Sequence, residues 1–153
     1  MKSKTIITMV LILAMALGLI GCTKTPAVTY QTPFPEKGTV GGVEYSIIPD
    51  ASYFRTSKTA GYYIDTLDQP NAPYIYFITS GEKKTSGYGV NIVNIEVDDQ
   101  NRMTVTVEFT EPQDKNVTKG KTYPTTALNI MPPYVDDVTI QLTNGDLLKY
   151  LED

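Results

Sequence analysis

Two long segments in which apolar and polar residues alternate, 88–97 and 102–110, place the strongest constraint on the fold of this chain. Alternation with a period of two suits a β-strand that buries one face and exposes the other. The four residues between the segments, Asp-Asp-Gln-Asn, are typical of a turn. The sequence therefore predicts a long antiparallel hairpin whose two strands each supply one apolar face to a core.

The register of this hairpin follows from two independent features. Aligning the apolar faces requires three cross-strand pairs: Val97 with Met103, Ile95 with Val105, and Val93 with Val107. The same register leaves a three-residue loop, 99–101, whose third residue is Asn, which tolerates the left-handed conformation required there. It also sets Asp98 opposite Arg102 on the solvent face, where opposite charges stabilise a strand pair. Because Val90 and Ile92 lie out of phase with the later apolar residues, we expect a β-bulge near Ile92.

Shorter segments bounded by Gly, Pro, Asn and Asp repeat the strand pattern along the rest of the chain. They are 43–47, with Val43, Tyr45 and Ile47 on one face, and 61–64, 74–79, 125–131 and 138–142. Segment 74–79 is apolar on both faces, which suits a central strand. Residues 143–146, Thr-Asn-Gly-Asp, favour a hairpin, although 146–152 could instead form a short helix. We predict an all-β fold, a single small antiparallel β-sandwich or barrel-like domain.

The amino-acid composition excludes several kinds of catalytic and metal site. The chain has no His and one Cys, which excludes Ser-His-Asp and Cys-His catalysis, His-ligated metals and an internal disulfide. Its net charge of −4 offers no basic field for nucleic acid. The acidic doublets Asp98-Asp99 and Asp136-Asp137 lack the spacing of an EF-hand loop and suit solvated turns. We therefore predict no catalytic residue, no metal and no cofactor.

The N-terminal residues read as a secretion signal. Lys2 and Lys4 precede an apolar run, 6–20, which is short for a membrane span but suits a signal peptide. The run ends Leu-Ile-Gly-Cys, which resembles a bacterial lipobox, so residues 1–21 are predicted to be removed and Cys22 to be lipidated. A plain signal peptide or a short anchor with an incidental Cys is the alternative. Lipidation implies a chain anchored to the cell membrane on its extracytoplasmic side.

Residues 22–37 are rich in Pro and Thr, which predicts a semi-extended tether, with a short strand inside it as the alternative. The β-domain is then predicted to span 38–153. Removal of residues 1–21 would leave 132 residues with a net charge of −6, since two lysines and no acidic residue are lost.

One segment carries a family resemblance. Gly81, Thr85, Gly87 and Tyr88 match the pattern of the PrcB C-terminal-domain family: a strand, a Gly, polar or Pro residues, Thr-Gly-Gly-Tyr and a second strand. Ser86 replaces one Gly, and Lys84 stands where Pro is usual. The resemblance extends over 74–131. It implies a small, mostly β, non-catalytic domain on the exterior of a bacterium that associates with proteins, among them proteases.

The residues themselves also suggest a binding loop. Lys83 and Lys84 form the densest cationic spot in an acidic domain, Thr85 and Ser86 offer hydroxyl groups, and Tyr88 offers a large contact with little entropy to lose. The predicted binding loop comprises Gly81, Lys83, Lys84, Thr85, Ser86, Gly87 and Tyr88. The alternative is a plain hairpin connection whose Tyr88 side chain folds back into the core.

The sequence thus predicts a surface-anchored lipoprotein, not an enzyme, that acts as a protein-binding or accessory module in association with an extracellular protease complex. A protease inhibitor is the first alternative, because the Thr-Ser-Gly-Tyr segment also bears a weaker likeness to a loop of the chagasin-like inhibitors. A glycan or cell-wall binding module is the second, because the chain holds eleven Tyr. Tyr62, Tyr63 and Tyr134 are the tyrosines that we expect near loops.

Overall fold

The structure is a computed structural model that describes residues 34–113 and 115–152. The predicted signal peptide, Cys22 and nearly all of the tether lie outside these residues. Ten strands and no helix occur within them. The strands are β1 (Lys37–Val40), β2 (Val43–Ile48), β3 (Gly61–Thr66), β4 (Tyr74–Thr79), β5 (Lys83–Thr85), β6 (Gly89–Val97), β7 (Arg102–Thr110), β8 (Lys119–Thr122), β9 (Thr125–Ile130) and β10 (Asp137–Leu142). The all-β prediction is confirmed.

Five strands form one antiparallel sheet in the order β1-β2-β9-β4-β3. β4 pairs with β9 on one side and with β3 on the other, so it is the internal strand that its apolar sequence predicts. Ile78 is fully buried, and Phe77 is 8% exposed on the opposite face, where it packs with Ala51 and Ala127. The strand therefore buries side chains on both of its faces.

The long hairpin forms the second sheet with β10, in the order β10-β7-β6. Its predicted register is confirmed at the turn, where Val97 pairs with Met103. Asn101 has a φ of 57°, as the three-residue loop requires, and the Arg102 guanidinium donates to the Asp98 carboxylate at 2.6 Å. The predicted bulge is present between Ile92 and Asn94.

The bulge corrects one predicted pair. Val107 lies opposite Ile92 rather than Val93, because the extra residue on β6 moves the pairing by one position. Val93 nevertheless stays buried, with 3% of its surface exposed. Both phases of the apolar pattern are thus used, one on each side of the bulge.

β10 runs parallel to β7, which departs from the purely antiparallel arrangement that we predicted. The connection from β9 crosses between the sheets instead of forming a hairpin. In this crossing the Asp136 N–H donates to the Asn101 carbonyl at 2.9 Å, so β10 starts beside the start of β7. Strands that start at the same end of a sheet must run parallel.

The core lies between the two sheets. It contains Tyr45, Ile78 and Leu128 from the five-stranded sheet, and Ile95, Val105 and Ile140 from the three-stranded sheet. The C-terminal segment closes one side of this sandwich. After a turn at Gly145, Leu147 bridges to β10 and Tyr150 bridges to β3, so the favoured hairpin is found where a helix was the alternative.

The folded domain begins earlier than the predicted boundary at residue 38. The ring of Phe34 packs on Tyr45 with 5.9 Å between centroids, and the Glu36 carbonyl accepts a hydrogen bond from the Ile47 N–H. β1, which the sequence analysis assigned in part to the tether, pairs with β2 across a two-residue turn at Gly41 and Gly42.

Candidate functional site

The predicted binding loop is not a free loop, because Lys83–Thr85 form strand β5 and pair with β8. β4 and β9 already pair at Thr79 and Thr125, and the next pair outward joins Lys83 to Thr122. β5 and β8 are therefore a continuation of the two central strands beyond the five-stranded sheet. We call this two-stranded extension, β5 with β8, the ribbon.

Hydrogen bonds hold the outer end of the ribbon together. The Thr122 hydroxyl donates to the Thr85 carbonyl at 2.8 Å. The Ser86 N–H donates to the Thr118 carbonyl, and the Thr118 N–H donates back to the Ser86 hydroxyl, both at 2.9 Å. The Ser86 hydroxyl, which we predicted as a binding group, thus has a structural partner.

Gly81 and Gly87, two residues of the sequence motif, lie where the backbone requires glycine. Their φ angles are +79° and +92°, in the left-handed region that side chains disfavour. A Cβ atom on Gly81 would lie 2.9 Å from the Lys58 carbonyl oxygen, and one on Gly87 would lie 2.9 Å from the Pro112 Cβ. These glycines shape the two ends of the 81–87 segment.

The inner end of the ribbon is held by a polar cluster that the sequence analysis missed. The Glu82 carboxylate accepts hydrogen bonds from the Lys121 ammonium at 3.1 Å and from the Tyr123 hydroxyl at 2.9 Å. These hydrogen bonds lower the pKa of Glu82 below its ordinary value, and the one from Lys121 has the larger effect. The same bond to Glu82 raises the pKa of Tyr123. The cluster joins the residue before β5 to β8 and the residue after it.

Tyr88 lies at the surface of a groove and is half-buried, so neither the core position nor a fully exposed one describes it. The Lys83 ammonium lies 5.4 Å from the centre of its ring, within the range of a cation–π contact. The groove has a volume of about 320 Å³. It is lined by Pro49, Asp50 and Ser52 on one side and by 86–90 and 122–125 on the other.

Two exposed aromatic residues adjoin this groove. Tyr53 and Phe54 follow the lining residue Ser52 and are 94% and 66% exposed, with their rings edge to face at 5.8 Å. The sequence analysis overlooked them because segment 49–60 has neither alternation nor a motif. The available signal was two adjacent aromatic residues within a segment that holds two Ser and two Thr. The groove, Tyr53, Phe54 and the ribbon together form the candidate site.

The tyrosines considered for glycan binding have aromatic or cationic neighbours. Tyr62 contacts the rings of Tyr76 and Tyr150, and the Arg55 guanidinium covers Tyr63 at 3.9 Å. Tyr134 stacks on Tyr74 at 4.0 Å. Each of these rings therefore has a contact partner within the domain.

Across residues 34–113 and 115–152, no group of three or more acidic, His or Cys side chains is close enough to hold a metal ion. In the same residues no helix is both long and apolar enough to cross a membrane.

The acidic residue that lines the groove, Asp50, has polar partners. Asp50 accepts from the hydroxyl of Ser52 at 2.6 Å, which together with the Ser52 N–H lowers the pKa of Asp50.

Comparison with known proteins identifies one segment. No curated protein and no solved structure matches this chain. Residues 74–130 match the family model described as PrcB C-terminal, and this segment runs from the first residue of β4 to the last residue of β9. It contains the ribbon, the long hairpin and both central strands of the larger sheet. Residues 74–130 are therefore similar to the PrcB C-terminal family, as the Gly81–Tyr88 motif predicts.

Proposed function

We propose that this chain is a non-catalytic accessory module that binds another protein through the ribbon and its groove. The match of residues 74–130 to the PrcB C-terminal family model is consistent with an accessory role. The observation that carries the proposal is the rigid presentation of Lys83, Lys84 and Thr85 on a hydrogen-bonded extension of the central strands. An extracellular protease complex is the first setting in which to seek the partner.

The ribbon is suited to binding because its backbone is already ordered. Binding costs less free energy when the contacting side chains lie on a preformed scaffold than when a loop must order. Lys84 is exposed, while Tyr88 offers part of its ring at the adjoining groove. Aromatic side chains in pockets are typical anchors of protein interfaces.

The carboxylates near the groove support binding rather than catalysis. A general acid or base at neutral pH needs a pKa near 7, which for a carboxyl group means a raised value. The hydrogen bonds to Asp50 and Glu82 act in the opposite direction and keep both carboxylates ionised. Each is also engaged with neighbouring side chains of the domain.

We further propose that the chain is anchored through a lipid on Cys22 to the cell membrane and faces the extracytoplasmic side. A Cys22→Ala variant, expressed as the full chain, should lose incorporation of labelled lipid and leave the membrane fraction. If this variant resists extraction by alkaline carbonate, the lipid anchor is wrong, and an uncleaved N-terminal helix would be the better explanation.

Protein binding is tested by capture from membranes. The full chain with a C-terminal tag is crosslinked in detergent-solubilised membranes, and proteins enriched over the tag control are identified. Lys84→Ala should reduce the recovery of a genuine partner, whereas Lys37→Ala, an exposed lysine on β1, should not. If nothing is enriched, or if both variants behave alike, the proposed function fails. If the partner is a protease, its activity with and without the purified chain separates an accessory protein from an inhibitor.

A further inference from the structure

The charge of the domain is divided between its two ends. The ribbon carries Lys83, Lys84, Lys119 and Lys121, and neither β5 nor β8 contains an acidic residue. The segment that adjoins the ribbon adds the exposed Lys58, whose carbonyl accepts a hydrogen bond from the Glu82 N–H. A cationic surface has therefore been assembled in a chain whose total charge is negative.

The acidic residues concentrate at the far end. β6 begins beside the groove and ends at Val97, eight residues further on, which is about 27 Å at the usual rise of an extended strand. Exposed carboxylates follow there, at Asp98, Asp99, Asp136 and Asp137. Arg102 is in contact with Asp98 at this end. Such a separation of charge orients an approaching charged partner.

Three carboxylates near the cationic end leave its positive field in place. Asp50 accepts hydrogen bonds from Ser52, Glu82 is paired with Lys121, and Glu111 lies beside Ser86 and Gly87. After these three negative charges are counted, the four lysines of the ribbon and Lys58 still leave a net positive surface. Lys83 lies against the Tyr88 ring, so positive charge reaches the wall of the groove itself.

Apolar contact area lies next to this charge. Tyr53 and Phe54 project from the segment that lines the groove and are the two most exposed aromatic residues among those that the structure describes. Exposed aromatic residues that adjoin a concave site mark interaction surfaces.

We propose that this surface binds an acidic segment of a partner protein that also carries an aromatic or aliphatic side chain. This inference rests on the proposed function and specifies the chemistry of its partner. The acidic side chains would face the lysines of the ribbon, and the apolar side chain would pack on Tyr53 and Phe54. The groove, about 320 Å³ in volume, would receive a side chain beside Tyr88.

An anionic membrane surface offers the same charge but a different shape. Lipid headgroups present a broad surface, whereas Tyr88 lines a groove between the 49–52 segment and the end of the ribbon. A protruding protein segment can enter that groove, and a membrane surface cannot do so without displacing its walls. The shape therefore favours a protein segment over lipid.

The test measures binding of a fluorescein-labelled copolymer of Glu and Tyr to the full chain by anisotropy. The ribbon variant is Lys84→Glu with Lys119→Glu, and the control is Lys37→Glu with Lys149→Glu. All four lysines are exposed, and both variants change the net charge by the same amount. We expect the ribbon variant to lose about tenfold or more in affinity and the control to stay within about threefold, because opposed charges near the contact dominate over distant ones.

Equal losses in the two variants would show that net charge governs binding and would overturn the proposal. Absence of copolymer binding would also overturn it. So would a result in which the ribbon variant abolishes binding to phosphatidylglycerol vesicles but leaves copolymer binding unchanged. A Tyr53→Ser, Phe54→Ser variant should weaken copolymer binding more than binding of poly-Glu. If Lys84→Ala reduces recovery of the crosslinked partner while the ribbon variant and the control bind the copolymer equally, the acidic-segment proposal fails and protein binding through the ribbon stands.

Discussion

Replacing Gly81 with alanine should destabilise the domain by about 2–5 kcal/mol. The φ of Gly81 is +79°, and left-handed backbone costs a residue with a Cβ roughly 1–2 kcal/mol. The added Cβ would also lie 2.9 Å from the Lys58 carbonyl oxygen and 3.0 Å from the Ala60 nitrogen. Because backbone atoms cannot rotate away as a side chain can, relief requires the 58–60 segment to move, which we expect to cost about 1–3 kcal/mol more.

Gly145 provides a matched control. Its φ of +89° is close to that of Gly81, but nothing lies within 4 Å of the Cβ position. Gly145→Ala should therefore cost about 1–2 kcal/mol, the backbone strain without the clash. Urea unfolding of both variants, followed by circular dichroism, measures the difference in their free energies of unfolding. The comparison assumes that the unfolding free energy depends equally on urea concentration in the two variants. If the two variants lose the same stability within about 0.5 kcal/mol, the close approach of the 58–60 backbone to Gly81 is wrong.

Three further predictions concern the core, the pH dependence and the site. Ile140 is 1% exposed in β10, so Ile140→Ala should lower the free energy of unfolding in urea by about 2–5 kcal/mol. Thr139→Ala, at the half-buried neighbour, should lower it by about 0.5 kcal/mol. Similar losses for the two variants would contradict the core position of β10. Burial raises the pKa of Tyr76 from 10.0 to about 12, so the stabilisation tied to its neutral form is complete below pH 10 and is lost as the pH rises towards 12. Urea unfolding between pH 8 and 11 should therefore show a steeper loss for the native chain than for Tyr76→Phe, and parallel curves would refute this assignment. Tyr88→Ala should weaken binding of the partner by about thirtyfold, as an anchoring aromatic does, while changing the unfolding midpoint little; a large loss of stability with unchanged affinity would place the ring in a structural role.

The local sequence pattern was sufficient to predict the long hairpin. The turn at 99–101, the left-handed Asn101 and the pair Val97–Met103 all depend on residues close together in the chain. The bulge near Ile92 was also predictable, because it follows from a change of phase within one strand. Its consequence for Val107 was not, since the alternation did not show on which side of the bulge the pairing would shift.

The parallel pairing of β10 could not be read from its residues. An apolar strand such as 137–142 buries the same side chains whether it runs parallel or antiparallel to its neighbour. The direction was decided by the crossing from β9, which the hydrogen bond between Asp136 and Asn101 directs towards the start of β7. That contact joins residues 35 positions apart and has no sequence signature.

The candidate site, like the fold, was predictable from the sequence only in part. The sequence by itself determined that Gly81–Tyr88 would carry special backbone and polar groups, since positive φ angles and clustered lysines are properties of the residue types present. Tertiary structure decided that this segment is one strand of a ribbon, because its partner β8, Lys-Gly-Lys-Thr, has no apolar alternation and becomes a strand by extending the β4–β9 pair. It also decided that the 49–52 segment, which leads into Tyr53 and Phe54, lies across a groove from Tyr88. Such a surface is formed by segments distant in the chain, and its physical cause is the packing of the strands that bring them together.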